Sequence, residues 1–137
     1  EGALARGWAV AMPSYDLCPT VRIAGITQQV AQAVMAIAGA SSGPLSLAGH
    51  SAGGHLALWA AADPALPLKG VVALAAITNL AQYAQQEGSC PSMVAKFLGG
   101  SPESLPDRYA QVTVHDKVFL KPINLILHQN IPHIEIN

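Results

Sequence analysis

Residues 49–53 read Gly-His-Ser-Ala-Gly. They lie between a short apolar run, Leu45-Ser46-Leu47-Ala48, and a segment from Ala52 to about Ala62 that is apolar nearly all round. A strand that must become a helix within about two residues forces the residue at the bend into a strained backbone region. The Ser51 hydroxyl is then expected to project from the C-terminal edge of a sheet. The Ala52 N–H, at the start of the following helix, has no intrahelical partner and sits at the positive end of the dipole. That pairing suits a nucleophile, Ser51, with Ala52 as a backbone donor to an oxyanion. Glycines on both flanks leave room for neighbouring backbone.

Other residues with chemistry to offer fit less well. His50 holds the variable position of the motif and cannot reach Ser51 as a base in the usual geometry. His55, four residues after Ser51, is expected to pack or hydrogen-bond near the site. The two histidines are five apart with no His-Glu-x-x-His or Cys-x-x-Cys pattern, so no metal is expected. A phosphate-binding loop and a dinucleotide fingerprint are both missing, so no cofactor is expected either. Asp107 and Asp116 read as surface charges or caps, and Arg22 as a solvated or stacked residue at a helix start. Tyr15 is a candidate for lining a pocket. His115 and His128 have no motif around them. Glu135 and His133 in the tail are poor substitutes for a catalytic acid and base. Cys18 and Cys90 read as two free, buried thiols.

The elements that must position Ser51 follow from periodicity. Gly7 to Pro13 is an apolar run ending at Pro, as in a buried strand. Ile23, Ile26, Val30, Val34 and Ile37 recur at three- and four-residue steps, one face of a helix from about Val21 that Thr20 caps and Gly39 stops. The strand at 45–48 and the helix at 52–62 come next, with Asp63-Pro64 ending the helix. Val71–Ala76 reads as a further strand, Asn79–Gln86 and Ser92–Leu98 as short helices, Ser101–Val114 as loop, and Ile123–Leu127 as a last strand. Continuous apolar strands alternating with helices imply an α/β fold, a mostly parallel sheet with helices on both faces.

The stretch Gly49-His50-Ser51-Ala52-Gly53-Gly54-His55-Leu56-Ala57 resembles the nucleophile elbow of the α/β-hydrolases. More narrowly, it is similar to their esterase/lipase and kynurenine formamidase (arylformamidase) branch. Ser14-Tyr15-Asp16-Leu17-Cys18-Pro19, together with Val21-Arg22-Ile23, resembles the segment after that branch's fourth strand. Gly99-Gly100-Ser101-Pro102-Glu103 and Pro106-Asp107-Arg108-Tyr109 resemble its insertion before the seventh. The likeness runs from about residue 7 to 128. It implies a serine hydrolase of carboxyl esters or formamides in which Ser51 attacks an acyl carbonyl, with a small-molecule ester or amide as substrate.

The same resemblance implies an incomplete domain over residues 1–137. The family's His-Gly-Gly loop after the third strand has no counterpart, and that strand would lie between the run at 7–13 and the strand at 45–48. Unpaired buried backbone groups cost about 1–3 kcal/mol each, against a total stability of roughly 5–15 kcal/mol. The chain alone is therefore expected not to fold stably in the family's geometry. At the other end the family's His-Gly-x-x-Asp becomes His128-Gln129-Asn130-Ile131-Pro132, with Pro132 where the acid should stand. The expectation is a hydrolase chain inactive as it stands. The competing expectation is a non-catalytic truncated isoform that binds a partner. A serine peptidase would share the same bend.

Composition narrows the rest. The chain has 137 residues, half of them hydrophobic (51%) and 11% charged, which excludes a disordered chain. Seven basic and eight acidic residues give no electrostatic footprint for nucleic acid or an anionic membrane, so neither partner is expected. No apolar run approaches the roughly 18 residues of a membrane span, and no secretory signal is visible. The corresponding expectation is a cytoplasmic protein.

Overall fold

The computed structural model describes residues 2–18, 20–114 and the backbone of 124–128. The first regular helix, α1, spans Ile23–Ala40. Its apolar stripe, Ile23, Ile26, Val30 and Val34, is buried, as the three- and four-residue spacing requires. The helix begins two residues later than Thr20 would dictate. Arg22 is its N-cap, without a side-chain hydrogen bond, and the helix runs through Gly39 to Ala40. By length and composition α1 could cross a membrane, although the glutamines within it break any continuous apolar run. Here its stripe packs into the core instead.

Strand β1 (Leu45–His50) leads directly through Ser51 into α2 (Ala52–Ala62), which Asp63 ends. β2 comes next, over Leu68–Leu74. The β1-α2-β2 unit is parallel, with Leu47 opposite Val71, Gly49 opposite Ala73 and His50 opposite Leu74. Strand β3 (Asn124–His128) lies parallel to β2 on its other side, with Leu74 opposite His128. The sheet order is β1-β2-β3, so the fold is α/β with a parallel sheet. β2 begins and ends earlier than its apolar run suggests. Ala75 takes a left-handed φ of 46° directly after it, which turns the chain out of the ladder.

Main-core residues come from one side of the sheet. Leu56, Ala57, Leu58, Ala60 and Ala61 of α2 are buried together with Val71 and Ala73 of β2 and with Ile26, Val30 and Val34 of α1. The alanines let α2 lie close on the sheet. A second cluster joins Ile23 to Leu80 of α3 (Leu80–Ala84), Val94 and Leu98 of α4 (Ser89–Leu98), and Tyr109 and Val112 of α5 (Pro106–Val112).

Three sequence expectations need correction. Helices do not cover both sheet faces among the described residues. Along β1, Leu45, Leu47 and Gly49 are half-buried while Ser46, Ala48 and His50 are exposed. Side chains alternate between faces along a strand, so the side bearing Ser46, Ala48 and His50 is uncovered. Two of those three are polar and the third is small, so that face of β1 makes little demand for an apolar cover. The strand expected over Gly7–Pro13 is absent too. Residues 8–13 join no ladder, and Trp8 and Met12 are 56% and 90% exposed. An apolar run becomes a strand only with a hydrogen-bonding neighbour, and no described strand lies beside it. Finally, Ser101–Val114 is not all loop. Pro106 starts α5 at a position where its missing N–H is unneeded, and Tyr109 and Val112 anchor the helix in the core.

α4 begins at Ser89 rather than Ser92, because Pro91 is accommodated in its first turn. Gly99, at φ 87°, closes it as expected. Asn79 caps α3 by accepting the Gln82 N–H at 3.0 Å. Cys18 and Cys90 are free, but Cys18 is only half-buried and Cys90 is exposed.

Candidate functional site

Ser51 stands at the junction of β1 and α2 with φ 53° and ψ −118°. Among the described residues only Ser51 and Ala75 are non-glycine residues with positive φ. A serine held there costs about 1–3 kcal/mol, which the surroundings must offset. The Ser51 N–H donates to the Leu74 carbonyl at 2.8 Å, and the Ser51 carbonyl accepts the His55 N–H at 3.0 Å. The bend is therefore fastened to β2 on one side and to the first turn of α2 on the other. The Ser51 side chain makes no capping hydrogen bond, so its hydroxyl is not committed to the helix it precedes. Ala52 is the first residue of α2, and its N–H is one of the helix's unpaired donors.

The glycines divide the steric work unequally. A Cβ on Gly49 would fall on the Gly53 carbonyl, and one on Gly54 would come within 2.8 Å of the Ala76 Cβ. A Cβ on Gly53 would meet nothing within 4 Å. The expectation that both motif glycines make room for backbone thus holds for Gly49. The second requirement falls on Gly54, outside the five-residue motif. Sequence signals it only as one more glycine.

His55 is buried, 2% exposed. Its Nδ1 lies 2.7 Å from the Ile77 carbonyl oxygen. A carbonyl only accepts, so Nδ1 carries the proton and donates. Nε2 is buried without a hydrogen-bond partner. Burial pushes the imidazole below its ordinary pKa of 6.5, with the hydrogen bond to Ile77 working in the opposite direction. The sequence expectation that His55 hydrogen-bonds near Ser51 matches this placement. No sequence signal pointed to Ala75, whose strained φ lies beside the bend.

The remaining candidates lie elsewhere or outside the described residues. His50 is exposed at the end of β1. Tyr15 is half-buried against the main core, on a loop that Asp16 ties to α1. There the Asp16 N–H donates to Gln29 Oε1 and Gln29 Nε2 donates to Asp16 Oδ2, both at 2.8 Å. Arg22 and Arg108 crowd Gly99 at the end of α4, and Arg108 Nη1 donates to the Leu98 carbonyl at 2.7 Å. Asp107 is exposed in the first turn of α5. The backbone of His128 ends β3 opposite Leu74. His115, Asp116, Gln129, Pro132, His133 and Glu135 lie outside the described residues. Among the described residues, no three histidine, cysteine or acidic side chains gather as a metal site would need.

Neither protein-family models nor curated proteins match the chain. Among solved structures it is similar to a protein from Silicibacter sp. TM1040 described as a candidate thioesterase. The two are 33% identical with a TM-score of 0.66, over 92% of this chain and 47% of the other. The chain thus spans about half the length of that solved relative.

Proposed function

We propose that the chain carries the nucleophile-bearing part of a serine hydrolase of the α/β-hydrolase type, acting on an activated acyl carbonyl: an ester, thioester or formamide. The observation that carries the reading is Ser51 at φ 53° between a parallel strand and the helix after it. Strained backbone at such a junction is where a hydroxyl is presented to substrate. The similarity to a candidate thioesterase adds thioesters to the esters and formamides suggested by sequence.

In this reading Ser51 Oγ forms a bond to the acyl carbon and its proton passes to a base. The bond to the leaving oxygen, sulfur or nitrogen then breaks, and the leaving group takes up a proton. Water cleaves the acyl-serine and restores the hydroxyl. The Ala52 N–H donates to the oxyanion of each tetrahedral intermediate. His55 is not the base: its Nε2, the nitrogen left to accept a proton, is buried and makes no hydrogen bond, to Ser51 Oγ or to any other group. The chain by itself is proposed to react with activated acyl or phosphonyl groups without efficient turnover.

Incubation with a fluorophosphonate, read by intact mass and peptide mapping, tests this. Labelling at Ser51 that is lost in Ser51→Ala supports it, and a folded chain that stays unlabelled overturns it. Hydrolysis of p-nitrophenyl acetate or a short acyl thioester well above background, dependent on Ser51, would overturn the clause on turnover.

A second reading rests on the uncovered sheet face and on the exposed Trp8, Val10 and Met12. A non-catalytic fragment that associates through such surface would elute from size exclusion above monomer size. A monomer with sharp thermal unfolding speaks against it.

A further inference from the structure

The corner after β2 touches the Ser51 bend at three places. The Leu74 carbonyl accepts the Ser51 N–H at 2.8 Å. Ala76 lies so close to Gly54 that a Cβ there would be 2.8 Å from its own. The Ile77 carbonyl accepts from His55 Nδ1 at 2.7 Å. The first contact is backbone to backbone and the second is apolar. Only the third is a side-chain hydrogen bond, and the residue making it is joined through its own N–H to the Ser51 carbonyl at 3.0 Å.

We propose that His55 is the positioning residue of this site, a neutral imidazole whose Nδ1–H pins the first turn of α2 to Ile77 and thereby holds Ser51 in its positive-φ geometry. His55 acts through Ser51 and touches no substrate. The proposal rests on Ser51 being the working hydroxyl, and it deepens that reading. Its geometric basis is separate, however. The ring bridges the two chain segments that carry the two strained non-glycine residues, Ser51 and Ala75. A positive φ that costs free energy relaxes unless its neighbours hold it. The side chain best placed to do so is the one tied to both segments. The orphaned Nε2 fits this assignment. A charged imidazolium would bury a second N–H with no acceptor, whereas the Nδ1–H tautomer buries only a lone pair.

The test uses the full 137-residue chain with His55→Asn and His55→Leu. An asparagine amide nitrogen occupies nearly the position of Nδ1 and can still donate to Ile77; leucine cannot. Nitrogen-15 NMR of the wild-type ring should show a protonated Nδ1 and a pyridine-type Nε2. Amide hydrogen exchange at Ser51 should rise at least tenfold in His55→Leu and stay within threefold in His55→Asn, with exchange at Val71 in β2 unchanged in both. Fluorophosphonate labelling of Ser51 should show the same order, slowing at least tenfold in His55→Leu.

A wild-type ring protonated on Nε2 overturns the proposal, and that measurement stands even if a variant fails to fold. So does a folded His55→Leu chain whose Ser51 amide exchanges at the wild-type rate. If no chain is labelled while the tautomer and the exchange pattern are as stated, the clamp is supported and the hydrolase reading is the one that fails.

Discussion

Ser51 and Ala75, both left-handed in φ at 53° and 46°, come directly after the C-terminal residues of two adjacent parallel strands, His50 and Leu74, which are paired in register. Between them runs the 2.8 Å hydrogen bond from the Ser51 N–H to the Leu74 carbonyl. Two non-glycine residues with such a positive φ cost about 1–3 kcal/mol each. Glycine would relieve the strain while adding about 0.5–1 kcal/mol of unfolded-state entropy. Ser51→Gly and Ala75→Gly are therefore each expected to stabilise the chain, by up to about 2 kcal/mol. Ala75→Val is expected to destabilise it, because a β-branched residue fits a positive φ worst. Urea unfolding of the three variants measures the order.

The glycines around the bend should respond unequally to a methyl group. Gly54→Ala meets Ala76 and is expected to cost about 1–3 kcal/mol, the range for overpacking. Gly54→Ala combined with Ala76→Gly should recover most of the loss, a coupling that a double-mutant cycle reads directly. Gly49→Ala strikes backbone at Gly53 and should be worse and unrescued. Gly53→Ala enters open space within a helix and should stabilise by about 0.5–1 kcal/mol.

Acid should weaken the fold through His55. Its pKa is lowered by burial below the ordinary 6.5, so between the two values the unfolded chain binds the proton and the folded chain does not. Stability then rises with pH. The contribution is complete above about pH 6.5 and is lost as pH falls towards the folded value, at no more than about 1.4 kcal/mol per pH unit. Urea melts from pH 7.5 down to 5 should show this slope in the wild type. The slope should be reduced in His55→Asn, which has no ring to protonate.

At the other end of the helical cluster, the Tyr109 hydroxyl donates to the Gly100 carbonyl at 3.0 Å. The ring is buried, and burial first, then the charge of Glu103, pushes the phenol above its ordinary value of 10.0. Tyr109→Phe removes the donor and keeps the ring. It should cost about 0.5–1.5 kcal/mol, the usual net worth of one hydrogen bond. Chemical denaturation checks the figure, and the loss of near-ultraviolet tyrosine signal on unfolding should remain cooperative.

The parts of this fold that sequence made legible are those whose signal is local. The spacing of Ile23, Ile26, Val30 and Val34 marked α1. The all-apolar run from Ala52 marked a buried helix, and Gly-x-Ser-x-Gly between a strand and that helix marked the bend at Ser51. Illegible were the features set by neighbours distant in sequence. Trp8 to Met12 has the composition of a strand, yet pairing depends on what lies beside it. Covering of the second sheet face likewise depends on elements that β1 and β2 do not encode. Ala75 is unremarked in sequence because its backbone is dictated by the chain's exit from β2 rather than by its side chain. The steric role of Gly54 is set by Ala76, more than twenty residues away in sequence. At α5, Pro106 is a residue type common to loops and to helix starts, and here it is the first residue of the helix.

The polar and steric ties that shape the Ser51 bend begin at Gly49 and end at Ile77, and each joins two residues within that one stretch of chain. That corner is in this sense a cassette. In the hydrolase proposed above, discrimination between acyl groups would fall to residues beyond it.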